Sequence, residues 1–233
     1  MKDLLLLSSS RVYGYDGFLK YCEEQVKAFL SNAQNILFVP YAIYDMDFYT
    51  GIYDEVFQRL GYKIKSIHRE SDRQQAIKDA DVIFVGGGNT FLLLNRLYEA
   101  NVLPSIKERV MSGRKYLGIS AGSNIASPTI CTTNDMPIVY PPSFTSLSLV
   151  PFQINPHYVD PEANSTHKGE TRADRIKGYQ ELNKVPVLGM REGAILHIED
   201  DQCQLLGIAG AKLFSPDGKI TDFEINQDLS SLL

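Results

Sequence analysis

The stretch Gly118-Ile119-Ser120-Ala121-Gly122 sets a serine among small residues, at the end of the apolar run 115–120. A Gly-x-Ser-x-Gly turn lets the chain pass sharply from strand to helix and leaves the hydroxyl exposed above the sheet, the geometry of a serine nucleophile. The N–H of Ala121 then stands at a helix start, where it stabilises an oxyanion. A second turn of small residues, Gly86-Gly87-Gly88-Asn89-Thr90, follows the apolar segment 81–85. Asn89 or Thr90 can cap the helical pattern that begins at Phe91. Its backbone amides suit a negative oxygen, so Gly88 or Asn89 is expected to supply a second oxyanion donor. A phosphate cradle is the rival reading, but the chain has neither G-x-G-x-x-G nor a P-loop lysine there.

A serine nucleophile needs a base within reach, held by a third group. Four histidines are available. His197 lies mid-strand, where packing explains it, and His68 follows a strand among charges. His167 lies in the polar segment 165–172 and is placed to touch substrate. His157 is the best candidate, because "FQINPHYVDP" runs from an apolar strand into a proline-bounded turn. For the third member, Asp135, Asp160 and Glu192 all remain open; any of them could hold the imidazole in one tautomer.

These groups depend on a regular scaffold. Segments 3–9, 35–41, 62–68, 81–87 and 115–120 are apolar strand candidates. Between them, 17–30, 52–61, 91–100 and 103–113 carry apolar residues at helical spacing, with Gly61 as a helix stop. Strand–helix alternation with continuous apolar strands predicts an α/β fold, a mostly parallel twisted sheet with helices on both faces. Ligands bind such sheets at the carboxyl ends of the strands, where both glycine-containing turns fall. Residues 127–152 hold five prolines among many serines and threonines and are expected to form loops and short strands. The tail from residue 193 alternates, with "EDDQ" and "PDG" as turns, and predicts C-terminal antiparallel hairpins.

The chain has 233 residues, 44% of them hydrophobic, and no internal repeat or long linker, so residues 1–233 are expected to form a single domain. The formal net charge is −5 and basic runs are absent, which argues against nucleic acid or an anionic membrane as partner. The opening run of four leucines is shorter than the roughly 7–15 apolar residues of a secretory core. No apolar run approaches the roughly 18 residues of a membrane span. Three widely spaced cysteines fit a reducing cytoplasmic location and neither a disulfide nor a metal site, with Cys22 expected in the core.

With "FVGGGNTFLLL", "GISAGSNIASPTICTTNDMPIV", "INPHYVDP", "HKGETRADRI" and "REGAIL" in this order, the whole chain resembles the peptidase E (α-aspartyl dipeptidase) family of serine peptidases, family S51. The resemblance implies a class I glutamine amidotransferase-like (flavodoxin-like) sheet with a serine nucleophile in place of cysteine. It also implies hydrolysis of dipeptides with an N-terminal L-aspartate, with no metal or organic cofactor. Ser120 matches the nucleophile and His157 the base. Asp135 and Glu192 both match positions proposed for the third member, with Asp135 slightly favoured. Gly88 and Ala121 would be the oxyanion donors. The substrate carries charges of both signs, so Arg172 is expected to grip its β-carboxylate, with Glu170 near its ammonium and Asn89 also in the substrate site. Two rivals stand beside this reading: a cyanophycinase-like peptidase acting on β-aspartyl-arginine polymer, and a non-catalytic module binding an anion or nucleotide. Small peptides are the expected partners, and the protein is expected to be a monomer or homodimer.

Overall fold

A computed structural model describes residues 2–161, 166 and 169–233. Five parallel strands form its centre: β1 (Asp3–Leu7), β2 (Ile36–Val39), β3 (Ile64–Ser66), β4 (Val82–Val85) and β5 (Lys115–Ile119). With β8 (Ala194–Glu199) and β9 (Gln202–Gly207) they make a seven-stranded sheet of order β3-β2-β4-β5-β1-β8-β9. β8 pairs antiparallel with both β1 and β9.

Both faces of this sheet are apolar because the central strands carry consecutive buried apolar residues. Leu4 and Leu6 of β1, Leu37 and Val39 of β2, and Ile83 and Val85 of β4 enter one core cluster. Leu5 and Leu7, Ile36 and Phe38, and Val82 and Phe84 enter the other. The two-residue period of a strand sends alternate side chains to opposite faces, so both faces need cover. α1 (Glu23–Phe29) and α2 (Met46–Leu60) cover the second cluster; α4 (Thr90–Glu99) and α5 (Leu103–Met111) cover the first. α2 starts six residues before the apolar pattern that predicted it and ends, as expected, at Gly61, whose φ of 91° is a left-handed cap. Cys22 is fully buried.

Two helices lie outside the sequence expectation. α3 (Arg73–Asp79) buries one residue, Ile77, and is started by Asp72 accepting from the Gln75 amide. α7 (Arg172–Leu182) follows the polar segment that holds His167 and begins with a Thr171–Asp174 capping box.

The expected hairpins form, but in different sheets. β8 and β9 extend the large sheet, whereas β10 (Ala211–Phe214) and β11 (Ile220–Phe223) join β6 (Gln153–Tyr158) and β7 (Val187–Arg191) in a four-stranded sheet of order β11-β10-β7-β6. Ile154, Leu188, Met190, Ala211 and Leu213 of the small sheet enter the same core cluster as one face of the large one. Its other face packs Tyr158, Val187 and Phe214 against Ile176 of α7. The chain therefore crosses from the small sheet to the large one in the two residues between β7 and β8, Glu192 and Gly193. No helix among the described residues is long and apolar enough to cross a membrane.

Candidate active site

Ser120 directly follows β5 with φ 53° and ψ −108°, a conformation that side-chain-bearing residues rarely adopt. Its surroundings hold it there. The Ser120 amide donates to the Leu7 carbonyl at 2.9 Å. One turn on, the Ser123 hydroxyl donates to Leu7 O at 2.7 Å and Gly118 O at 2.9 Å. The Tyr116 hydroxyl donates to Gly122 O at 2.7 Å.

The glycines flanking the serine are required by close approach. A Cβ at Gly122 would lie 2.2 Å from the Val85 carbonyl oxygen, and one at Gly118 would lie 2.7 Å from the Gly122 oxygen. Gly122→Ala is therefore expected to force α6 (Ala121–Asn124) off β4 and lower stability by about 2–3 kcal/mol. A urea midpoint unchanged from wild type would refute that packing argument.

The triple-glycine turn lies against the serine. A Cβ at Gly87 would stand 3.1 Å from Ser120 Cβ. Gly88 has φ 130°, and a Cβ there would meet the Ala42 oxygen at 2.5 Å, so neither backbone angle nor space admits another residue. The Tyr49 hydroxyl donates to Gly87 O at 2.9 Å and fixes the orientation of that peptide. Among the hydrogen bonds of the described residues, none uses the Gly88 or Ala121 amide as donor. The Asn89 amide, the alternative donor, is committed to Ala42 O at 2.9 Å.

Opposite the serine, His157 Nε2 lies 2.6 Å from Ser120 Oγ. His157 Nδ1 lies 2.6 Å from Glu192 Oε1. A carboxylate can only accept, so Nδ1 carries the proton and Nε2 is left free to accept from the serine hydroxyl. His157 itself has φ 54° and interrupts the β6–β7 register between Asn155 and Tyr158. That irregularity turns the imidazole towards β5. The Glu192 carboxyl is pushed up by burial, but hydrogen bonds from His157 and Ser9 and the electrostatic attraction of His157 outweigh this and hold it below the ordinary range.

Of the three carboxylates left open, Glu192 is the one the fold brings to the imidazole. Asp135, slightly favoured from resemblance, instead accepts from the Thr90 amide at 2.7 Å and the Thr90 hydroxyl at 2.6 Å. It binds the first turn of α4, where a negative charge faces the positive end of the helix. Asp160 pairs with Arg191 at 2.6 Å.

The expected specificity residues separate. Arg172, the first residue of α7, is half-buried and its guanidinium makes no hydrogen bond among the described residues. Desolvation and the charge of Arg175 push its guanidinium pKa down, and the charge of Asp135 pulls it up. Glu170 does not accompany it: its carboxylate points to solvent, 3.9 Å from Arg175. Asn89 is occupied as a helix cap, with Oδ1 accepting from Leu92 N at 3.0 Å and Nδ2 donating to Met136 O at 2.9 Å. His167 lies outside the described residues.

Sequence reasoning passed over Ser8 and Ser9. The His157 amide donates to Ser8 Oγ at 2.9 Å, and Ser8 Oγ donates to Met190 O at 2.9 Å. Ser9 Oγ accepts from Gly193 N at 3.1 Å. Both serines directly follow β1, the strand beside β5, so the rule that sites gather at strand carboxyl ends pointed to them.

The profile of peptidase family S51 matches residues 4–206. The "Probable alpha-aspartyl dipeptidase" of Drosophila melanogaster is 47% identical over 235 aligned residues, covering 100% of this chain and 98% of the relative. Peptidase E of Streptomyces coelicolor is 45% identical over 231 residues, covering 99% and 95%. Among solved structures, a Listeria monocytogenes EGD-e protein assigned to peptidase E superposes with a TM-score of 0.68 at 27% identity, covering 90% of this chain and 100% of that one.

Proposed function

The chain belongs to peptidase family S51, and from that footing we propose that it is a serine-type dipeptidase that hydrolyses dipeptides bearing an N-terminal L-aspartate. The observation that carries the catalytic assignment is the continuous contact Ser120 Oγ–His157 Nε2 and His157 Nδ1–Glu192 Oε1, both at 2.6 Å.

Ser120 Oγ attacks the scissile carbonyl carbon while His157 Nε2 takes the hydroxyl proton. The imidazolium that forms is stabilised by Glu192, which stays ionised. The carbonyl oxygen becomes an oxyanion facing the Gly88 and Ala121 amides, neither of which donates a hydrogen bond among the described residues. Collapse breaks the C–N bond, and His157 returns the proton to the departing amine. Water then attacks the aspartyl ester, again giving its proton to His157, and the second collapse restores Ser120 and releases aspartate.

Recognition of aspartate is assigned to Arg172. A half-buried guanidinium with no hydrogen-bonded partner among the described residues gains more from a carboxylate than an exposed, paired one does, and its planar fork takes both oxygens. Asp135 sits close enough to orient it electrostatically. Glu170, with its side chain in solvent, is left out of this assignment.

Leucine release from Asp-Leu and from Ala-Leu tests the function. Wild type is expected to cleave Asp-Leu and to leave Ala-Leu nearly untouched. Arg172→Ala is expected to lower kcat/KM on Asp-Leu by about 10²-fold or more, on the scale of losing a charge-assisted contact, and to erode the preference over Ala-Leu. Retained preference in that variant would remove Arg172 from the specificity site. Folded wild type inactive on Asp-Leu but active on β-aspartyl-arginine polymer would overturn the dipeptidase reading in favour of the polymer peptidase.

A further inference from the structure

His157 and Glu192 meet although neither is held by a regular ladder. His157 lies in the irregular stretch of β6, and Glu192 occupies the two-residue corner between β7 and β8. On the β1 side, Ser8 binds the His157 amide and Ser9 binds the amide of Gly193. The opposite side is closed by ions. Arg191, immediately before Glu192, reaches Asp160, three residues after His157, through Nε at 2.6 Å. Its Nη2 reaches Asp222 of β11 at 2.5 Å. Lys212 of β10 binds Asp160 and lies 3.4 Å from Asp222. Two cations and two carboxylates thus alternate in a closed, charge-balanced ring spanning the ends of β6, β7, β10 and β11.

We propose that the Asp160–Arg191 ion pair is a clamp that sets the separation of His157 and Glu192, making both residues positioning residues for the proposed reaction.

Three features separate this pair from an ordinary surface bridge, which contributes little. Arg191 bridges two carboxylates instead of one, and its side chain is only 25% exposed. Room for the guanidinium is made by Gly210, where a Cβ would stand 3.3 Å from Arg191 Nη1 and collide with Phe223 O at 2.2 Å. Above all, the pair joins the two segments that carry the base and the acid at their closest approach: Tyr158 and Arg191 are partners in the β6–β7 register. Hydrogen bonding by Arg191 holds the Asp160 carboxyl below its ordinary range against the opposing effect of burial, with Lys212 adding to it. Releasing the clamp frees the corner bearing Glu192, and the imidazole loses the partner that fixes its tautomer. Misplacement on the order of 1 Å at such a site costs about 10²-fold in rate.

The proposal rests on the dipeptidase reading for its kinetic consequence, so the test has two readouts on the full chain. Asp160→Asn and Arg191→Lys are each expected to lower kcat on Asp-Leu by about 10–100-fold, with KM within about twofold of wild type. The double variant is expected to lose little more than either single one, because one interaction is broken once. Independently of substrate, the ring ¹⁵N resonances of His157, assigned with His157→Gln, are expected to show one tautomer in wild type and a mixture in both variants. Asp222→Asn, which leaves the Asp160–Arg191 contact in place, is expected to keep the single tautomer and a kcat within about threefold. Wild-type kcat and a single tautomer in folded Asp160→Asn would overturn the clamp. If that variant does not fold, the same result in Arg191→Lys overturns it. A tautomer change in a protein that cleaves no aspartyl dipeptide would sink the dipeptidase reading and leave the clamp standing.

Discussion

Replacement of Ser120 by alanine is expected to lower kcat on Asp-Leu by roughly 10⁴–10⁶-fold, the scale seen when the nucleophile of a coupled triad is removed. The structure makes this a clean substitution. The Ser120 hydroxyl bonds His157 Nε2, and the amide that fixes the turn donates to Leu7 O. Alanine keeps that amide and the Cβ lying against the glycine turn, so no cavity opens. Its backbone meets the same positive φ as serine, so the unfolding free energy is expected to stay within about 0.5 kcal/mol of wild type. A residual rate from the Gly88 and Ala121 amides and from substrate binding is compatible with the assignment. A rate within tenfold of wild type, with the fold intact by urea titration, would mean that another group is the nucleophile.

The second large effect separates the two carboxylates that resemblance left open. Glu192→Gln is expected to lower kcat by roughly 10²–10⁴-fold. A glutamine can offer its NH₂ to His157 Nδ1, which turns the imidazole to the tautomer with a proton on Nε2, where it cannot accept from Ser120. Asp135→Asn removes no contact to the imidazole. It weakens the hold on the Thr90 amide and hydroxyl, so it is expected to cost about 0.5–2 kcal/mol of stability, with kcat falling less than tenfold. Equal losses of kcat in the two variants would contradict this division.

Glu192 also carries a pH signature. Its carboxyl titrates lower in the folded protein than its ordinary value, so its contribution to stability is complete above that ordinary value and is lost as pH falls through the folded one. The stability advantage of wild type over Glu192→Gln should therefore narrow as the pH falls below the ordinary carboxylate value and through the lower folded one. An advantage that grows on acidification would reverse the sign of the argument.

Much of the scaffold was legible because its signals are local. The five parallel strands declare themselves as short runs that are mostly apolar, with β2 and β4 apolar and buried at every position, which suits burial on both faces. Ser120 and the triple-glycine turn declare themselves because small residues at strand ends are what a sharp turn and a close backbone approach require. α3 and α7 escaped because their apolar faces are thin. α3 buries Ile77 alone, and α7 buries Ile176 and Gln180, so the marks they left were an N-cap aspartate and a capping box closed by aspartate instead of the usual glutamate.

The sequence by itself thus determined the parallel sheet, the serine turn, the histidine that stands beside it and the short list of acids. Only the tertiary structure decided among those acids. Asp135, Asp160 and Glu192 are all carboxylates in turns, and nothing within a few residues of any of them distinguishes its role. Their fates were set by contacts across the chain: Asp135 with Thr90 at the start of α4, Asp160 with Arg191 across the small sheet, and Glu192 with His157 and Ser9 where the chain passes from one sheet to the other. Those pairings follow from how two sheets dock through a shared apolar core. Periodicity encodes which face each strand buries, but the position of one docked sheet on another is the sum of many small packing terms. Hence the choice of the acid facing the imidazole belongs to the assembled core and not to any segment of the chain.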